Sequence, residues 1–348
     1  MEINTIHNEP CLDTLKKMPD NFIDCVITSP PYWQLRDYGY EGQWGLEPTF
    51  NEYLEHLWKM MDEIYRALKP EGTCWINLGD TYSGSNGFGW KQSVANENQS
   101  TNGVNENRNY RKITGRIDAA PPKCLLLIPH RFAIGCIDRG WIMRNDCIWA
   151  KRNGMPESVT DRFSKKHEYF FFMVKSEKYF FDLDAIRDKH KQVSIDRLQR
   201  GISENNKWVN GADGQTPHNL SQPRKNKTHT KNYGQSMIGG QVRDNHDIHD
   251  SFNPLGKNPG SVSDFWDVAT KPSSEKHYAS YNDALLLKPV LAGCPEDGII
   301  YDPFMGTGST AEVALRAKRK FIGSEMSKEY VEICNQRLEP FLTQHKLF

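Results

Sequence analysis

"IIYDPFMGTGSTAEVALRAKRKFIGSE", Ile299 to Glu325, decides the fold. An apolar run ends at Asp302, and a turn with Gly306 and Gly308 follows it. Ser309–Ala317 then has helical spacing, and Lys320–Ser324 reads as a buried strand that delivers Glu325 at its end. Glycines in such a turn let backbone approach a ligand closely, and the helix N-terminus favours electronegative groups. An acidic residue at the end of the next strand, roughly 20 residues on, is where a ribose diol is held by two hydrogen bonds. The bare G-x-G-x-x-A pattern is weak evidence. Strand, turn, helix, strand and acid in series point to an adenosine-containing cofactor, with Glu325 as the ribose candidate.

Only a short tail follows Glu325, so the rest of the sheet must come from the N-terminal section, in a permuted order. That section alternates in the expected way: strand Ile3–Ile6, helix Asp13–Met18, strand Ile23–Thr28, helix Glu52–Leu68, strand Thr73–Leu78. "KPEG", Lys69–Gly72, is the stop signal between the last two. Leu125–Arg139 reads as a helix, and Trp141–Trp149 and His167–Lys175 as antiparallel strand neighbours. Ala284–Leu291 and Lys328–Leu342 read as helices and Gly298–Tyr301 as a strand. The class is α/β, a doubly wound and mostly parallel sheet.

The strand Ile23–Thr28 ends in "SPPYW", Ser29 to Trp33. Neither proline can donate to a ladder, so the strand stops and a stiff, aromatic-tipped corner begins. Read alone, the corner is either a proline turn whose aromatics fill core space or a rigid platform for chemistry.

Composition sets bounds. The chain has 348 residues, a formal net charge of +0 and 37% hydrophobic residues, which suits one large domain with insertions or two domains. "MEINTIHNEP" lacks the features of a signal peptide, and no apolar run approaches a membrane span, so a cytoplasmic protein is expected. The 8 cysteines are scattered without a C-x-x-C pair, as buried reduced thiols would be, and no metal site is expected. A flexible loop is expected over 83–121. From 188 to 261 the apolar pattern fails and Lys and Arg outnumber Asp and Glu. This segment is either a solvated insertion or a nucleic-acid recognition segment, with cations such as Arg224, Lys225 and Lys227 for phosphates.

"TSPPYW" ahead of "DPFMGTGST" resembles the amino-methyltransferases of DNA in the beta arrangement, where the catalytic motif precedes the S-adenosylmethionine motif. "KPEGTCWINLGD", "WAKRNGMPESVTDRFSKKHEYFFFMVKS", "HYASYNDALL" and "FIGSEMSKEY" resemble that family's other blocks, in its order. The resemblance implies a permuted class I methyltransferase fold. It implies a catalytic half over 1–187, a target-recognition insertion over 188–261 and a cofactor-binding half over 262–348. S-adenosyl-L-methionine would be the methyl donor and duplex DNA the partner. The family allows a homodimer and a separately encoded cognate restriction endonuclease.

Carried residue by residue, the resemblance makes Ser29, Pro30, Pro31 and Tyr32 the catalytic corner. Ser29 Oγ and the Pro30 carbonyl would hold the target amino group, and Tyr32 would offer a face to a base taken out of the duplex. Trp33 would wall the pocket on the DNA side. Asp302, Phe304, Gly306, Gly308, Ser309 and Glu325 would hold the cofactor, with His277 near its methionine end. Pro10 stands where the family commonly has an acidic residue, so Glu9 would serve at the adenine. Asp80 would either line the pocket or cap the next turn. "PC" at Pro10–Cys11 is not the nucleophile of carbon-5 cytosine methyltransferases, whose cysteine follows the cofactor motif. S-P-P-Y goes mostly with the 4-amino group of cytosine and D-P-P-Y mostly with the 6-amino group of adenine. Cytosine is therefore favoured and adenine is the alternative. Two other readings are a DNA-binding module with an inactive methyltransferase fold and a nicotinamide oxidoreductase, in which the SPPY corner has no role.

Overall fold

A computed structural model describes residues 1–83, 120–154, 156–189, 262–270 and 282–344. The chain forms two compact units, Met1–Asp182 with Asp264–Phe348, and Leu183–Ser263. Within the second unit the described residues include a single 3-10 turn, Asp184–Ile186. His277, Arg224, Lys225, Lys227 and most of the 83–121 loop lie outside the described residues.

The first unit is built on an 8-stranded sheet among the described residues. In chain order the strands are β1 (Thr5–His7), β2 (Ile23–Thr28), β3 (Leu68–Leu78), β4 (Ile142–Ala150), β5 (His167–Val174), β6 (Phe265–Asp267), β7 (Ile299–Asp302) and β8 (Lys320–Ser324). Their spatial order is β1-β8-β7-β2-β3-β5-β4-β6. All neighbours are parallel except those of β5, which runs against both β3 and β4. The helices are α1 (Cys11–Lys17), α2 (Phe50–Ala67), α3 (Ile128–Asp138), α4 (Asp283–Gly293), α5 (Ser309–Arg316) and α6 (Lys328–Gln344).

Local chemistry explains the elements. Thr49 and Glu52 form a reciprocal capping box that starts α2, whose buried stripe includes Tyr53, Leu57, Met60, Met61 and Ile64. The helix ends at Ala67, and β3 begins at once with Leu68, not at Thr73. Lys69–Gly72 is accommodated by a register shift, since Ile23 pairs with Leu68 but Cys25 pairs with Thr73. Strand β5 is apolar because both of its faces are buried, Phe171 and Met173 in one core cluster and Phe170, Phe172 and Val174 in the other. Its Phe172 stacks on Trp75 directly opposite, with centroids 4.0 Å apart. Strand β6 has no counterpart in the sequence reading; it is short and pairs at the edge with Ile148–Ala150. No helix of the described residues is long and apolar enough to cross a membrane.

The sheet order brings three chain segments together. β2 and β7 are adjacent, with Cys25 opposite Ile300 and Val26 opposite Tyr301, and β8 flanks β7. All three strands point the same way, so the SPPY corner, the Gly-rich turn and Glu325 emerge at one edge. In open α/β sheets that carboxyl edge is where ligands bind.

Candidate active site

A cavity of about 1140 Å³ opens at this edge. Ser29, Pro30, Pro31 and Tyr32 line it, together with Asp302, Phe304, Gly306, Ser309 and Glu325. Its size exceeds that of an ordinary small-molecule pocket, leaving room for a cofactor and a base together.

The corner is held from several sides. Tyr53 donates its hydroxyl to the Pro31 carbonyl at 2.8 Å, which fixes the second proline. The Tyr32 ring rests against Gly79, where a Cβ would lie 2.6 Å from the ring. Its hydroxyl sits 2.9 Å from Asn77 Oδ1 and 2.8 Å from Glu168 Oε2. Ser29 donates to the Tyr32 hydroxyl at 3.4 Å. Among the described residues no donor reaches the Pro30 carbonyl. Ser29 and Pro30 both line the cavity.

Trp33 requires a correction. It is 2% exposed and packs edge-on against Phe50 at 6.1 Å, with its indole N–H donated to the Glu47 carbonyl. It belongs to the core and walls no DNA surface. A residue next to Tyr32 on a turning chain points away from it, and the burial of a large ring outweighs exposure.

Around the Gly-rich turn the wall is organised by buried carboxylates. Asp302, 2% exposed, accepts from Thr28 and Phe304 at one oxygen and from Thr310 at the other. Burial pushes its carboxyl up to about 6 against these bonds. Glu325 accepts from Gly306 N and Ser327 N at 2.9 and 2.8 Å, and burial raises its pKa as well. The Met326 backbone also hydrogen-bonds this carboxylate and works against the rise.

The two glycines differ. Gly306 lines the cavity, with a left-handed φ of 55°. Gly308 is off the cavity wall; at φ +85° its Cβ would lie 2.2 Å from Cys334 Sγ, so it makes room for α6. Ser309 reaches the cavity but accepts from Arg337 at 3.2 Å. Glu9 reaches it with its carboxylate engaged by Thr14 and Lys17, whose bonds lower its pKa. Asp80 lies off the wall and caps: its Oδ1 accepts from Thr81 N and Ile128 N. Cys11 is buried in α1 with its thiol pushed up to about 12, so it offers no nucleophile.

The sequence reading leaves residues 34–46 out of the site. Leu35, Arg36, Tyr38, Tyr40 and Trp44 from this segment line the cavity. Trp44 stacks on His56 and meets Phe304 edge-on at 5.4 Å, tying the segment to the Gly-rich turn. The available signal is the aromatic density of "YWQLRDYGYEGQW" beyond the prolines.

A DNA methylase family model of the N6/N4 class matches residues 23–336. The chain belongs to the N6/N4 DNA methylase family. The methylase is 29% identical to the Type II methyltransferase M.Cfr9I of Citrobacter freundii over 342 residues, covering 97% of this chain and 89% of that one. It is 30% identical to M.XycI of Xanthomonas campestris pv. cyanopsidis over 340 residues, covering 97% and 88%. Among solved structures it resembles the PvuII DNA methyltransferase (cytosine-N4-specific), with TM-score 0.56, 16% identity, and 97% and 86% of the two chains covered. It also resembles a DNA modification methylase of Thermus thermophilus, complexed with S-adenosyl-L-methionine, with TM-score 0.51, 17% identity, and 97% and 95% covered. These likenesses confirm the class I methyltransferase fold. The methylase acts on DNA.

Proposed function

We propose that the methylase transfers a methyl group to the 4-amino group of cytosine at a specific site in duplex DNA, after the base leaves the stack. One observation carries this reading. Ser29, whose hydroxyl is a neutral acceptor, lines the same cavity as Glu325, at the strand end where the resembled adenine enzymes mostly carry aspartate. The amino lone pair of a base is delocalised into its ring and is a poor nucleophile. Two acceptors that take both N–H hydrogens draw the nitrogen toward tetrahedral geometry and aim its lone pair. The Ser29 hydroxyl and the Pro30 carbonyl suit this task, and the prolines keep them fixed, so orientation is built in before reaction.

S-adenosyl-L-methionine supplies an electrophilic methyl group on a sulfonium. Glu325 would hold its ribose, and the Gly306 turn with Phe304 would flank it. Tyr32 would take one face of the flipped base. Segment 188–261 would read the target, with Arg224, Lys225 and Lys227 on phosphates. The N4 specificity in the name of the PvuII neighbour and the Type II names of the relatives support a cytosine target and a separately encoded restriction partner. The free cysteines suit a cytoplasmic enzyme.

Methylation of random-sequence DNA, followed by nucleoside mass spectrometry and modification-aware sequencing, tests the reading. N-4-methyldeoxycytidine in one sequence context supports it. N-6-methyldeoxyadenosine would move the target to adenine, and DNA binding without methylation would make the chain a binding module.

A further inference from the structure

Four oxygens of residues on the cavity wall stand in hydrogen-bond contact. Ser29 Oγ, Tyr32 Oη, Asn77 Oδ1 and Glu168 Oε2 make three O···O contacts, at 3.4, 2.9 and 2.8 Å. Ser29 and Tyr32 supply one hydroxyl proton each. Asn77 cannot turn its amide to donate, because its Nδ2 is committed to the Tyr169 carbonyl at 2.9 Å. Glu168 lines the cavity with its side chain 11% exposed, and its second oxygen pairs with Lys151. The contacts thus run from Ser29 through Tyr32 to a carboxylate.

We propose that Glu168 is the end of a proton relay that runs from the target amino group through Ser29 and Tyr32. The inference rests on the reading of Ser29 above. As the nitrogen lone pair forms the N–C bond, the C–S bond gives its electron pair to sulfur. The nitrogen sheds one proton to Ser29 Oγ, Ser29 passes its own to Tyr32 Oη, and Tyr32 passes its own to Glu168 Oε2. Charge balances: the sulfonium becomes a neutral thioether, and the carboxylate becomes a neutral acid. Glu168 is thus a positioning residue, acting through Tyr32, with no contact to the base. Lys151 and Lys165 are the cations facing it, and Asp80 and Glu157 face Lys165 in turn. Lys151 holds the carboxylate in place between turnovers.

The test compares Glu168→Gln, Glu168→Ala and Ser29→Ala in the full-length protein. Cofactor affinity, DNA affinity and fluorescence of a 2-aminopurine placed at the target base are measured beside single-turnover rates across pH. Glu168→Gln keeps the side-chain volume and a hydrogen-bonding group. It should bind and flip as the wild type does, yet react about 100-fold more slowly, with a rate that climbs with hydroxide where the wild type levels off. Formate added to Glu168→Ala should restore about tenfold of the loss, and should do nothing for Ser29→Ala. A wild-type rate and pH profile in Glu168→Gln, or no response of Glu168→Ala to formate, overturns the relay. If Glu168→Ala fails to bind cofactor, Glu168→Gln alone decides. A wild-type rate in Ser29→Ala instead overturns the corner's role, and so separates the two failures.

Discussion

Thr28 donates its hydroxyl to Asp302 Oδ1 at 2.5 Å, across 274 residues of sequence. Thr28 is the last residue of β2 and Asp302 the last of β7. One buried bond therefore locks the strand that ends in the SPPY corner to the strand that ends in the Gly-rich turn. Asp302 touches both halves of the site, and its oxygens accept from Thr28, Phe304 and Thr310. Its task is to fix the distance between the two motifs.

The Asp302 carboxyl is raised to about 6 from 3.8, so burial disfavours its charged form. A raised folded-state pKa means stability that is fully present below the unfolded pKa and lost as pH rises through the folded one. This group should therefore contribute about 3 kcal/mol less at pH 7 than at pH 3.5, with the change falling between those two pKa values. Urea unfolding of the wild type and of Asp302→Asn from pH 4 to 7 checks this. The difference between the two proteins should slope across that window; a difference that stays flat contradicts the buried-carboxylate account.

Gly79 makes room for the Tyr32 ring. Gly79→Ala puts a Cβ within 2.6 Å of that ring and should displace it, at a stability cost of about 1–3 kcal/mol. Single-turnover methylation should fall while cofactor affinity, measured by calorimetry, holds. Loss of both together would mean that the clash spreads into the sheet.

Glu325→Ala should weaken cofactor binding by about 2–3 kcal/mol, since two charge-assisted bonds to the ribose are lost. It also leaves the N–H groups of Gly306 and Ser327 without their acceptor, so the melting temperature should drop. Glu325→Gln keeps an acceptor and should lose less of both. Unchanged cofactor affinity in the Ala variant would put the ribose elsewhere.

Replacing Arg224, Lys225 and Lys227 together with Gln should flatten the slope of log affinity against log salt by about 2–3, because each neutralised phosphate releases counterions. Cofactor binding should not change. An equal slope in titrations across salt would make the segment a solvated loop.

The sheet and both motifs were legible because each is local. A buried strand, a proline stop or a Gly-rich turn is written in adjacent residues, and Lys320–Ser324 falls where its apolar pattern places it. Three features were not legible. Trp33 and Tyr32 are neighbours with opposite fates, and only the packing of Phe50 and Gly79 decides which ring turns inward. Glu168 looks like the polar start of an apolar strand until β5 is set beside β3, which brings it to Tyr32. Gly308 reads as a ligand-facing glycine, yet its missing Cβ serves Cys334 on a helix that follows later in the chain.

The Ser29→Ala variant tests the central claim most directly. The substitution leaves the prolines, Tyr32 and the Thr28–Asp302 lock in place, so cofactor and DNA should bind as in the wild type. Under single-turnover conditions the methylation rate should fall by about 30-fold to nearly 1000-fold, or roughly 2–4 kcal/mol, the cost of a misoriented target amino group. A wild-type rate would make Ser29 a strand-end residue and the corner a proline turn without a catalytic part.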